Sequence, residues 1–293
     1  MIYTIENDSI RVQISDVGAE LQSIVGKKDN TEYLWQGDAQ YWSGRAYNLF
    51  PICGRLTDGK YTYQGKTYEM NLHGFARKSE FAVKEQTLDS ITFRLKANET
   101  TLAQYPFCFD LLITYTIKGA SLKTTITVKN DDTQSMIFAV GGHPGFNVPM
   151  NEDVPFTDYY LEFDCEKPAK AIVMSPTCYT TRDTEDFPLE GGTTLPLRHN
   201  LFDNDAIVLQ DMCKAVTLKS RTGKKYIRIE YPDMNYLGLW HAPKTEAPYL
   251  CIEPWTSVPA YDSEVDDLET KRDMLRLEAG ETYKNSYTIS IEG

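Results

Sequence analysis

Apolar and polar residues alternate with a period of two along much of this chain. Ile10-Arg11-Val12-Gln13-Ile14 shows it first, and such alternation marks a strand with one face buried. The same pattern predicts strands over 19–25 and 32–35, and a hairpin over 60–68 turning at Gln64-Gly65. Residues 81–86 are expected to pair with 90–97, and 107–117 with 121–129 around Gly119-Ala120. Further strands are predicted over 160–163, 171–174, 206–210, 215–219, 226–231, 237–240 and 249–253, with 287–291 closing the sheet. Helical spacing is scarce: one turn is expected over 38–43, and 266–274 is the best helical candidate. Short strands at steady spacing predict an all-β fold, a large antiparallel β-sandwich with few short helices, in a single domain over 1–293.

Chemistry-bearing residues stand at the ends of the apolar runs. The run 136–140 reads as a buried strand leading into Gly141-Gly142-His143-Pro144-Gly145-Phe146. Pro144 pushes His143 toward extended backbone. The glycines there permit a tight turn and close approach of a ligand. Arg55 follows the apolar stretch 49–53, His73 opens His73-Gly74-Phe75, and Trp240 ends a strand just before His241. The phenylalanines after the two histidines are expected to wall a pocket. Glu253, in Leu250-Cys251-Ile252-Glu253-Pro254-Trp255, is expected to be partly desolvated, which raises a carboxyl pKa and suits a base near neutrality. The plain alternatives are a histidine that closes a turn and a glutamate paired with an arginine for structure. His199 lies in a polar loop.

Composition narrows the partners. A formal net charge of −12 argues against nucleic acid, whose phosphates need a basic footprint. No apolar run reaches membrane-spanning length, and the N-terminus lacks a signal pattern, so a cytoplasmic location is expected. The six cysteines lack metal-finger spacing and read as buried thiols rather than disulfides. No Gly-x-Ser-x-Gly elbow, phosphate-cradling loop or dinucleotide fingerprint occurs, and no His-x-x-x-His supports a metal. No cofactor or metal is therefore expected. Residues 151–200, rich in Pro, Thr, Asp and Glu, read as surface loop and short strand.

Taken together, Phe50-Pro51-x-x-Gly54-Arg55, His73-Gly74-Phe75-Ala76-Arg77, Gly142-His143-Pro144-Gly145-Phe146, Leu201-Phe202-x-x-Asp205 and Cys251-Ile252-Glu253-Pro254-Trp255 resemble the aldose 1-epimerase (galactose mutarotase-like) family, over nearly the whole chain and in order. The likeness is to its LacX-like bacterial branch. It implies a small-molecule sugar substrate in an open cleft, no cofactor, and interconversion of the α and β anomers of a hexose. By matching position, Glu253 would be the general base and His143 the general acid. His73 and Arg55 would bind and polarise the sugar, and Asp205 would hold ring hydroxyls, with Asp203 an alternative on the same strand face. Arg55 is expected to help keep Glu253 ionised. Arg77, with Lys78, could instead hold the phosphate of a hexose 6-phosphate, and Trp240 is a further candidate for sugar binding. A non-catalytic carbohydrate-binding protein and a glycoside hydrolase are the other readings; the hydrolase needs a second carboxylate, for which Asp205 is the poor candidate. Which sugar is bound stays open, as does the choice between monomer and homodimer.

Overall fold

In a computed structural model of the chain, which describes residues 1–150, 153–164 and 169–292, two large antiparallel sheets carry the fold. The longer has nine strands, in the order Thr194–Pro196, Tyr159–Phe163, Ala215–Ser220, Tyr226–Glu230, Thr282–Ile291, Ser121–Asn130, Phe109–Lys118, Ser90–Lys96 and Ala82–Gln86. The other has seven: Thr180–Phe187, Ala169–Met174, Ile207–Gln210, Tyr236–Trp240, Tyr249–Trp255, Gly141–Asn147 and Ala46–Leu49. Four strands between Ile2 and Glu32 form a further sheet, and the hairpin of Lys60–Tyr63 with Lys66–Glu69 adds Asp266–Asp267 in parallel.

Period-two alternation decides which side chains fill the core between the sheets. In Tyr249–Trp255 every residue is buried, yet the two faces differ. Leu250 and Ile252 join the large core with Ile289, Leu111 and Ile126 of the nine-stranded sheet. Tyr249, Cys251, Glu253 and Trp255 lie on the opposite face, which carries the cleft. A strand covered on both faces has no polar alternation to show, which is why 249–253 reads as a plain apolar run.

Several expectations are corrected. The segment around His143 is a strand, Gly141–Asn147, hydrogen-bonded on both sides, and His143 lies inside it rather than at a turn. None of Gly141, Gly142 and Gly145 has positive φ. They are needed for space: a Cβ on Gly142 would lie 2.7 Å from the Tyr287 ring of the facing sheet, and one on Gly141 would lie 2.7 Å from Trp255. Phe75 and Phe146 turn into the large core and wall no pocket. Residues 38–43 do make the single turn expected, closed by Tyr41 and Trp42 N–H groups donating to the Asp38 carbonyl. Residues 266–274 form a short strand and turns; the one α-helix among the described residues is Glu99–Gln104, capped by Asn98. Its apolar content is too low to produce a periodic signal. The final strand, Thr282–Ile291, lies inside its sheet between Tyr226–Glu230 and Ser121–Asn130. Of the cysteines, Cys53, Cys213 and Cys251 are buried, Cys108 is exposed and Cys178 is partly exposed; Cys165 lies outside the described residues.

Candidate active site

One rung of the seven-stranded sheet supplies the floor of the cleft. Val208 pairs with Gly238, Gly238 with Glu253, and His143 with Tyr47. The register of Gly141 with Trp255 and of Gly145 with Cys251 sets His143 directly across from Glu253. Side chains directly opposite on neighbouring strands are the closest cross-strand partners. Here His143 Nε2 and Glu253 Oε2 are 3.1 Å apart, with side-chain exposures of 9% and 1%. The two atoms touch without the alignment of a hydrogen bond, so Glu253 Oε2 stays unsatisfied, as does His143 Nδ1. Gly238 leaves a notch beside Glu253: a Cβ there would sit 3.3 Å from the Glu253 Cβ.

Two loops close the cleft from above. His73 takes a left-handed backbone, φ 62°, next to Gly74 at φ 75°. Gly74 must be glycine, because a Cβ would lie 2.2 Å from the Phe50 carbonyl oxygen. The Gly54 N–H donates to His73 Nδ1 at 3.0 Å, which leaves the ring proton on Nε2 and makes that nitrogen a donor. The His73 and His143 rings meet edge to face at 5.2 Å. Arg55 donates to Asp205 Oδ2 at 3.1 Å, and the Trp240 indole donates to Asp205 Oδ1 at 2.8 Å. Asp205 has φ 76° and sits in the loop before Ile207–Gln210, so no shared strand face links it with Asp203. A cavity of about 240 Å³ gathers Arg55, His73, Arg77, His143, Asp205, Trp240 and Glu253 on its walls. These seven candidates are therefore in one place, whereas the alternatives Lys78 and Asp203 are not among the residues lining this cavity. His199 and His241 are not: they contact each other at 3.2 Å in a separate cluster with Phe156 and Phe202.

Burial governs the electrostatics. It pushes Glu253 well above the carboxylate range, with the charge of Asp205 adding to the effect. It pushes His143 down to about 3, and His73 well below the usual imidazole range, where His143, Arg77 and Arg55 add repulsion. The expectation that Arg55 keeps Glu253 ionised is overturned, since Arg55 is committed to Asp205. The arginine-paired structural reading of Glu253 fails for the same reason. Neutral imidazole at His143 and protonated carboxyl at Glu253 are the forms that burial favours.

Sequence reading missed most of the apolar lining. Trp42 lies against the His143 ring at 4.9 Å and against Trp240 at 5.6 Å, and Tyr47 meets both His143 at 5.9 Å and Trp42 at 5.3 Å. Gly145 makes room for Trp42, whose ring lies 3.1 Å from where a Cβ would stand. Met174 and Cys178 bring part of the 151–200 region to the cleft wall. The aromatic residues of 41–47 carried the only available signal, an aromatic cluster with no strand period. Such a floor and walls, with an acid–base pair at the bottom and polar groups converging from loops, can bind a small polyhydroxy ring and move protons on adjacent oxygens.

A family model described as aldose 1-epimerase matches residues 1–290. The chromosomal LacX protein of Lactococcus lactis subsp. lactis is 36% identical over 300 residues, covering 99% of each chain. Among solved structures, a galactose mutarotase related enzyme from Lactobacillus acidophilus superposes with a TM-score of 0.95 at 35% identity, covering 100% of this chain and 98% of that one. A galactose mutarotase-like protein from Lactobacillus casei gives a TM-score of 0.95 at 35% identity, covering 100% of both chains.

Proposed function

Since the chain belongs to the aldose 1-epimerase family, where a sugar epimerase or mutarotase role is supported, we propose that it interconverts the α and β anomers of a free hexose by opening and reclosing the ring, with no cofactor in the step. The observation that carries the reading is the His143–Glu253 contact at the cleft floor. Ring opening takes the proton from the anomeric hydroxyl and gives one to the ring oxygen. Both oxygens are bonded to the same carbon, so an acid and a base that touch each other can reach both. Glu253 takes the hydroxyl proton and His143 donates to the ring oxygen. This requires the Glu253 carboxyl proton to stand on His143 Nε2 when the sugar is bound, a move across 3.1 Å that leaves the net charge of the pair unchanged. The carbonyl face then turns about one bond, and reclosure runs the same transfers backwards. His73 donates its Nε2 proton to the sugar, and the Arg55–Asp205 pair with Trp240 holds ring hydroxyls.

Polarimetry of freshly dissolved α-glucose and α-galactose tests this. General acid and base contributions are each about a hundred- to ten-thousand-fold. Glu253→Gln and His143→Asn should each lose most turnover while circular dichroism stays unchanged. Near-normal rates in both variants would sink the assignment, and a rate no higher than buffer for every aldose tried would favour a carbohydrate-binding role.

One observation favours a phosphorylated sugar as a second reading. Arg77 lines the cleft, stacks over Tyr47 at 5.0 Å, and has no carboxylate partner among the described residues. A preference for glucose 6-phosphate that disappears in Arg77→Gln would select it.

A further inference from the structure

Cys251 stands one rung along from Glu253 on the same strand and the same face, opposite Gly145. A ring nitrogen of His143, the Cys251 sulfur and a Glu253 carboxylate oxygen all lie within 4.8 Å of one another. All three residues are more than nine-tenths buried, and two of them offer unsatisfied polar atoms, His143 Nδ1 and Glu253 Oε2. Gly145 carries no side chain toward the sulfur: a Cβ there would stand 3.3 Å from it, in space that the Trp42 ring borders. The Cys251 sulfur has no part in the proton transfer proposed for His143 and Glu253.

We infer that this cluster is a binding site for a thiophilic divalent cation of the zinc class, and that occupancy blocks the cleft. One thiolate, one imidazole and one carboxylate make a mixed sulfur, nitrogen and oxygen set of the type zinc takes, with the fourth position open to the cavity. The charges also balance: a divalent cation with one thiolate, one carboxylate and a neutral imidazole is neutral overall, the condition that burial demands. Tetrahedral distances of about 2.0–2.3 Å require the widest pair to draw in by roughly 1 Å, within the reach of side-chain rotation. Metal–sulfur, metal–nitrogen and metal–oxygen bonds form, the thiol proton and the Glu253 carboxyl proton leave to solvent, and no electrons change hands. Magnesium and calcium, which require oxygen ligands, do not compete. The inhibition arm rests on the proposed acid–base pair, whereas binding does not.

The test titrates the full chain with Zn²⁺ and Cd²⁺ at neutral pH. The expected results are one equivalent bound, a near-ultraviolet sulfur-to-cadmium absorption band, and loss of mutarotation in step with zinc occupancy. Cys251→Ser should keep the basal rate, lose the band and weaken zinc inhibition at least tenfold, whereas Cys108→Ser, at the exposed thiol, changes nothing. Should Cys251→Ser fail to fold, zinc-edge X-ray absorption on the unsubstituted protein replaces it, and must show one sulfur with nitrogen and oxygen neighbours. No band, no sulfur neighbour, or unchanged metal affinity in a folded Cys251→Ser overturns the site. If no aldose is turned over, the binding and spectroscopic results still decide it.

Discussion

Arg55 directs its guanidinium at Asp205, 3.1 Å away, and so is neutralised within the cleft wall. Its two members are 37% and 18% exposed, and partly exposed ion pairs contribute at most about 1 kcal/mol to folding. Asp205→Ala should therefore leave the urea midpoint almost unchanged. Hydrogen bonds to a charged group are worth about 1.5–3 kcal/mol, so KM should rise about tenfold or more. A normal KM would remove Asp205 from the sugar site.

At Gly142 the two sheets approach closely, with the Tyr287 ring 2.7 Å from its would-be Cβ. Overfilling a packed core costs about 1–3 kcal/mol. Gly142→Ala should lower the unfolding free energy by that amount, seen as a lower urea midpoint at an unchanged denaturant slope. A neutral result would mean that the sheets can part at this position.

Lys271 and Asp266 form a buried pair, Nζ to Oδ2 2.7 Å, with exposures of 2% and 8%. Removing one partner of such a pair costs about 3–5 kcal/mol, because the other charge is left buried alone. Asp266→Leu or Lys271→Met singly should be strongly destabilised, and the double substitution should recover most of the loss. Additive losses in the double variant would show that the two charges are not coupled.

His241 is fully buried, and burial holds its pKa at about 4 against an unfolded value near 6.5. It faces His199, which opposes its protonation, and Asp203, which favours it, and it contacts the Ala242 carbonyl. Between these two values the unfolded chain binds more protons than the native one, so stability falls as the pH drops from 6.5 to about 4 and this loss is complete below that. His241→Gln lacks this term. Its deficit against the unsubstituted protein at pH 8 should narrow steadily toward pH 4 in urea melts, and a constant deficit would contradict the assignment.

The strand pattern, the all-β class and the candidacy of Arg55, His73, His143, Asp205 and Glu253 were legible in the chain alone, because they depend on local alternation and on motifs whose order can be read directly. The sequence carried no information on which strands are neighbours or in what register, since pairing joins residues far apart in the chain. Only the tertiary structure therefore set His143 opposite Glu253, Arg55 against Asp205, Cys251 beside both catalytic candidates, and Trp42 over the histidine ring. The glycines around His143 show the difference most sharply. Their freedom of φ is visible from sequence and suggested a turn, whereas their purpose is the absence of a Cβ where Tyr287, Trp255 and Trp42 press close, and that depends on the packing of distant strands.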